Sequence, residues 1–118
     1  MLKNNPSPKL KVLLVWMPVL GNDSLSRAKQ SSGYLQDPRV SQFWDLWSFS
    51  SRIFEPVLKW PTATAGPVWD TFLLFDGTAR WTNYAGPAPL VWMQNLGIEF
   101  GVKYDPVRLE SAIKQLTR

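Results

Sequence analysis

The chain contains neither cysteine nor histidine. Disulfides, thiolate nucleophiles, thiol redox chemistry, Cys-ligated zinc, His metal sites and a Ser-His-Asp triad are excluded together. A general base must then be a carboxylate, a lysine or a tyrosine. Two Trp-Asp pairs stand out, Trp44-Asp45 and Trp69-Asp70, set 25 residues apart. An indole face beside a carboxylate suits a cationic or amphipathic ligand. Two carboxylates flanking a cleft also permit acid–base work where their surroundings push their pKa values apart, but no spacing selects that chemistry here. A bare Asp pair offers too few oxygens for a divalent metal. Each residue has a structural use as well. Asp45 suits a helix or turn cap, Asp70 an acceptor for loop N–H groups, and the tryptophans a core. The pairs are too few and too close for propeller blades.

The remaining composition bounds the possibilities. At 118 residues the chain is one domain, large enough to fold without staples. Seven tryptophans are the anomaly; they imply an indole-rich core or an aromatic-lined pocket or partner surface. The net charge of +4 comes from 13 basic and 9 acidic residues. The basic residues are dispersed, with no patch to neutralise phosphates, so a nucleic-acid partner is not expected. Lys3, Lys9 and Lys11 ahead of Val12–Leu20 mimic a signal peptide. No small-x-small cleavage site follows, and the apolar run is too short to span a bilayer. The expectation is a soluble cytoplasmic protein without a membrane partner.

The elements that must position these residues can be read in order. Residues 1–9, with two prolines, form a loose N-terminal arm, and residues 10–118 a single domain. Leu10–Met17 is the first strand; after Lys11 its residues 12–17 are apolar throughout, and Pro18 stops it, the pattern of a strand buried on both faces. Asp23 or Ser24 caps a helix from Leu25 to about Leu35. Val40–Trp44 is a second strand, with Val40, Gln42 and Trp44 on one side and Ser41 and Phe43 on the other. A helix follows from Ser48 or Ser50 toward Leu58. Phe49, Ile53, Val57 and Trp60 share its buried face, Arg52 pairs with Glu55, and Pro56 kinks or divides it. Val68–Phe75 is a third strand. Asp76-Gly77 then reads as a hairpin turn into a fourth, Thr78–Tyr84, at the sheet edge. Leu90, Met93 and Leu96 are in phase for a short helix, with a strand as the alternative. Asp105 as N-cap and Pro106 at the first position start a last helix, whose core face is Leu109, Ile113 and Leu116.

This order resembles the thioredoxin-like family, in particular its peroxiredoxin-like branch. Lys11-Val12-Leu13-Leu14-Val15-Trp16 looks like the family's first core strand, and Met17 to Asp23 takes the place of its redox loop. Asp37-Pro38-Arg39-Val40 to Ser50 resembles the second strand and the aromatic stretch after it. Phe72-Leu73-Leu74-Phe75-Asp76-Gly77 looks like the strand and Asp-Gly hairpin that follow the family's cis-proline. The likeness covers residues 10 to 84. It implies a three-layer α/β/α domain with a four-stranded mixed sheet and helices on both faces. The redox cysteines are missing, and Asp70 stands where the cis-proline would precede Thr71, the nearest proline being Pro67. The redox activities are therefore not carried over.

On that fold the ends of the strands converge, bringing together Trp16, Met17, Asp45, Trp69 and Asp70, with Asp23 nearby. Three functions follow. The first is a non-redox module that binds a small cationic or amphipathic ligand, or a peptide, at the former active-site edge, with no cofactor, metal or catalytic residue. The second is a homo-oligomeric assembly protein, for instance a homodimer, burying exposed aromatics such as Trp81 and Tyr84 or the run Leu90-Val91-Trp92-Met93. The third is an acid–base enzyme on carboxylates.

Overall fold

Val12, Leu14, Val15 and their neighbours favour extended backbone, and Pro18 cannot continue a ladder. Strand β1 accordingly spans Val12–Trp16. The computed structural model describes residues 2–21, 23–82 and 85–118. Helix α1 (Leu25–Ser32) follows; the Ser24 side chain accepts from the Arg27 N–H at 3.1 Å, so Ser24 is the cap. Asp23 turns back instead and accepts from the N–H groups of Val19 and Leu20 at 3.1 and 2.8 Å, closing the loop after β1. Strand β2 (Val40–Trp44) lies parallel to β1, with Leu13 opposite Ser41 and Trp16 opposite Trp44. A parallel partner is what a β–helix–β crossover delivers.

Helix α2 spans Phe49–Leu58 without a break, although Pro56 lies inside it. Pro56 is close enough to the C-terminus that its missing N–H and ring disturb only the final turns. The chain then reverses at Lys59, in the left-handed region at φ 53°, whose N–H bonds the carbonyls of Glu55 and Pro56. The buried stripe of α2 is Ser51, Phe54 and Leu58, not the expected Phe49, Ile53 and Val57; Phe49 is exposed. A short helix, α3 (Thr62–Ala65), follows.

Strand β3 (Thr71–Leu74) pairs antiparallel with β4 (Val91–Gln94), with Phe72 opposite Met93 and Leu73 opposite Trp92. Two expectations are corrected here. Residues 90–96 hold a strand and not a helix, because alternation serves both faces of the ribbon. Trp92 and Leu73 pack toward Phe54, Leu58, Trp60 and Val68, while Met93, Phe72, Leu74 and Val91 pack toward Leu109 and Ile113. The Asp76-Gly77 turn does not make a hairpin either. The Asp76 carboxylate accepts from the Thr78 N–H at 2.8 Å and also from its hydroxyl, a local turn that satisfies itself. Beyond it, Trp81 sets its ring edge-on against Phe54 at 5.5 Å. Thr78–Thr82 form no strand beyond the lone Thr82–Ala85 bridge; Asn83 and Tyr84, the rest of that expected strand, lie outside the described residues. Helix α4 (Pro106–Leu116) starts as expected, with Asp105 accepting from Val107 and Arg108. It buries Leu109 and Ile113 and leaves Leu116 exposed.

The larger correction concerns the sheet. The thioredoxin-like, four-stranded mixed sheet is not formed. Among the described residues there are two sheets of two strands each, β1–β2 parallel and β3–β4 antiparallel. β1 spends its pairing on β2, including Val12 N–H to the Arg39 carbonyl and Asp45 N–H to the Trp16 carbonyl. β3 spends its pairing on β4. The far side of β4 is taken by the chain at 102–104, through Gln94 N–H to the Val102 carbonyl and Tyr104 N–H to the Gln94 carbonyl. The layered packing therefore centres on the β3–β4 ribbon, which sits between α2 and α4.

Candidate functional site

The expected site divides between the two sheets. Trp16 and Met17 end β1, and Asp45 follows β2. Trp69 and Asp70 precede β3. Among the described residues no hydrogen bond, ion pair or ring contact joins the two groups. Each group has local work.

Trp16 is half-buried, and its indole N–H donates to the Gln42 side-chain carbonyl at 2.9 Å. Gln42 in turn donates its amide to the carbonyls of Ser32 and Leu35 at 3.1 and 3.3 Å. One glutamine thus ties β1, β2 and the end of α1 together, a role its plain strand position did not advertise. Met17 is half-buried in the loop closed by Asp23. Asp45 is a helix cap. Its carboxylate accepts from the Phe49 N–H at 3.0 Å and from the Ser50 N–H and hydroxyl at 2.8 and 2.6 Å. It does so in place of Ser48, which sits in the left-handed region at φ 55° and makes no side-chain cap. Burial alone would raise the Asp45 pKa, but the hydrogen bonds from Ser50, Phe49 and Ser48 outweigh it and hold the carboxyl below its ordinary range. A carboxylate so engaged is held ionised and is not a general acid near neutrality.

Trp69 is half-buried, and its carbonyl accepts the Thr71 hydroxyl at 2.7 Å. Asp70 is exposed, with backbone φ at 48°. Its carbonyl takes the Asn95 N–H at 2.9 Å, which extends the β3–β4 pairing by one bond. Its carboxylate has no hydrogen-bond partner among the described residues. No group of three or more acidic side chains is arranged to hold a metal ion among them. No helix among them is long and apolar enough to cross a membrane.

Two features that the sequence did not single out are better formed. The first is the bare side of β1–β2. Val12, Leu14, Trp16, Val40, Gln42 and Trp44 are half-buried, but the opposite side carries Leu13, Val15 and Phe43 at 66%, 37% and 52% exposure, with Ser41 the only polar side chain. The expectation of burial on both faces is corrected: one face is open. The second is a groove of about 570 Å³ along α2, lined by Phe49, Arg52, Ile53, Pro56, Val57 and Ala85. Neither includes the expected site residues. No protein-family model matches the chain, and no curated protein or solved structure matches it either.

Proposed function

We propose that the chain is an assembly protein that self-associates through the open face of β1–β2. The observation that carries this reading is the apolar side of a parallel strand pair left without a layer over it. Parallel sheets occur almost only with both faces covered, and two strands alone are marginal in water. The four outward side chains, Leu13, Val15, Ser41 and Phe43, include no charge. A basic or acidic partner has nothing to pair with there, whereas a second copy offers the same uncharged surface about a twofold axis. Apolar residues continue beyond β2 in the exposed Leu46 and Trp47. That extension helps to reach the roughly 800 Å² per partner that a stable dimer needs. The surface differs from those first expected. Trp92 and Met93 are spent in the core, whereas Trp81 touches the Phe54 ring with one edge and stays largely exposed.

The test is mass in solution. Sedimentation or light scattering from low to high micromolar concentration is expected to show a monomer giving way to a dimer. Phe43→Lys and Leu13→Glu are expected to hold the chain monomeric, with unchanged far-UV circular dichroism. A wild-type chain that stays monomeric throughout, or variants that dimerise as well as it does, overturns the reading.

A further inference from the structure

Helix α2 is apolar on two sides. Ser51, Phe54 and Leu58 face the core, and Phe49, Ile53, Pro56 and Val57 run along the groove at helical spacing. The opposite wall is the chain at Ala85, held close by Gly86. A Cβ added at Gly86 would stand 3.0 Å from both the Ile53 side chain and the Phe54 ring. The volume of about 570 Å³ lies in the range of small-molecule sites.

Among the described residues the only charged side chain in the lining is Arg52, and its guanidinium carbon stands 5.7 Å from the centre of the Phe49 ring. Arg52 was expected to pair with Glu55. It makes no ion pair and no side-chain hydrogen bond among the described residues. A guanidinium placed over a ring at the lip of an apolar groove leaves its N–H fork for a planar anion.

We infer that this groove binds a single-chain amphiphile with a carboxylate head, its alkyl chain along Ile53, Pro56 and Val57 and its carboxylate on Arg52. Charge complementarity selects the head: among the described residues Arg52 makes no ion pair and the lining holds no acidic side chain. The lining also selects the tail, because its remaining described members are apolar and offer an alkyl chain surface to cover. This site is separate from the β1–β2 face and stands or falls independently of self-association.

Calorimetry with octanoate, 1-octanol and acetate separates the contributions of head and tail. Octanoate is expected to bind saturably with one site per chain, octanol about tenfold or more weakly, since a charged hydrogen-bonded pair is lost, and acetate not measurably. Arg52→Gln is expected to bring octanoate down to the level of octanol, and Arg52→Lys to keep part of the preference. Val57→Asp should weaken both long-chain ligands. Circular dichroism checks that each variant is folded, and amide shifts should map to Phe49–Val57. Equal affinity for octanoate and octanol, an unchanged Arg52→Gln protein, shifts confined to another surface, or no saturable binding each overturns the inference.

Discussion

Single side chains in this protein hold whole segments. Gln94 is fully buried, and its amide donates to the carbonyls of Ile98 and Phe100 at 2.8 and 3.2 Å while its side-chain oxygen accepts the Leu96 N–H at 2.7 Å. Its own backbone N–H and carbonyl pair with Val102 and Tyr104. The loop after β4 is thus wound around one side chain. Gln94→Leu roughly keeps the volume but leaves three part-buried backbone groups without these partners. The expected cost is about 3 kcal/mol, read as a lower urea midpoint at unchanged m-value. Little in the sequence marks Gln94, because a glutamine at the end of an apolar run reads as the residue that leaves the core. Asp45 shows the opposite. Its use as a cap was legible, and it takes that place because Ser48, in the left-handed region, makes no side-chain cap of its own.

At the scale of elements, α2 ends in a way that can be improved. Lys59 holds a left-handed conformation at φ 53° as the C-cap, and Trp60 N–H reaches back to the Glu55 carbonyl at 2.9 Å. A non-glycine residue in that region costs about 1–2 kcal/mol, partly offset in glycine by chain entropy. Lys59→Gly is therefore expected to stabilise the protein by about 0.5–1 kcal/mol, seen as a raised thermal midpoint. The elements themselves were largely legible, since β1, α1, β2, α2, β3 and α4 each carry a run, a cap or a stop that acts locally. What was not legible was their partners. Asp76-Gly77 looks like a hairpin turn because both residues tolerate its geometry, but Thr78 satisfies the Asp76 carboxylate within the turn and the strand partner comes from residues 91–94. The buried stripe of α2 is displaced from Phe49-Ile53-Val57 to Ser51-Phe54-Leu58. Both sides of this helix are apolar, so periodicity alone could not choose. Ser51 helped to hide the answer: it is a polar residue whose hydroxyl accepts the Val68 N–H at 2.7 Å inside the core.

Across the whole molecule, the N-terminal arm is fastened by one ionic clasp. Arg39 donates to the Asp37 carboxylate at 2.7 Å and to the backbone carbonyls of Leu2, Asn5 and Ser7. The hydrogen bond from the Arg39 side chain lowers the Asp37 pKa from 3.8 to about 2. Because the folded value lies below the unfolded one, the clasp contributes fully above pH 3.8 and is lost as pH falls toward about 2. The Asp37 carboxyl resonance is expected to titrate near the lower value, and Arg39→Lys to move it back toward the ordinary one. An unshifted wild-type resonance would count against the clasp.

The placement of the β3–β4 ribbon between α2 and α4 has a consequence for how the molecule breathes. Its strands are covered on two sides by separate apolar clusters, whereas β1 and β2 are covered on one. Opening the ribbon requires disrupting both clusters and so approaches the free energy of global unfolding. Opening β1 from β2 exposes far less new surface. The protein is thus graded in permanence: the β1–β2 pair can loosen transiently while the ribbon and the helices α2 and α4 on either side of it stay whole.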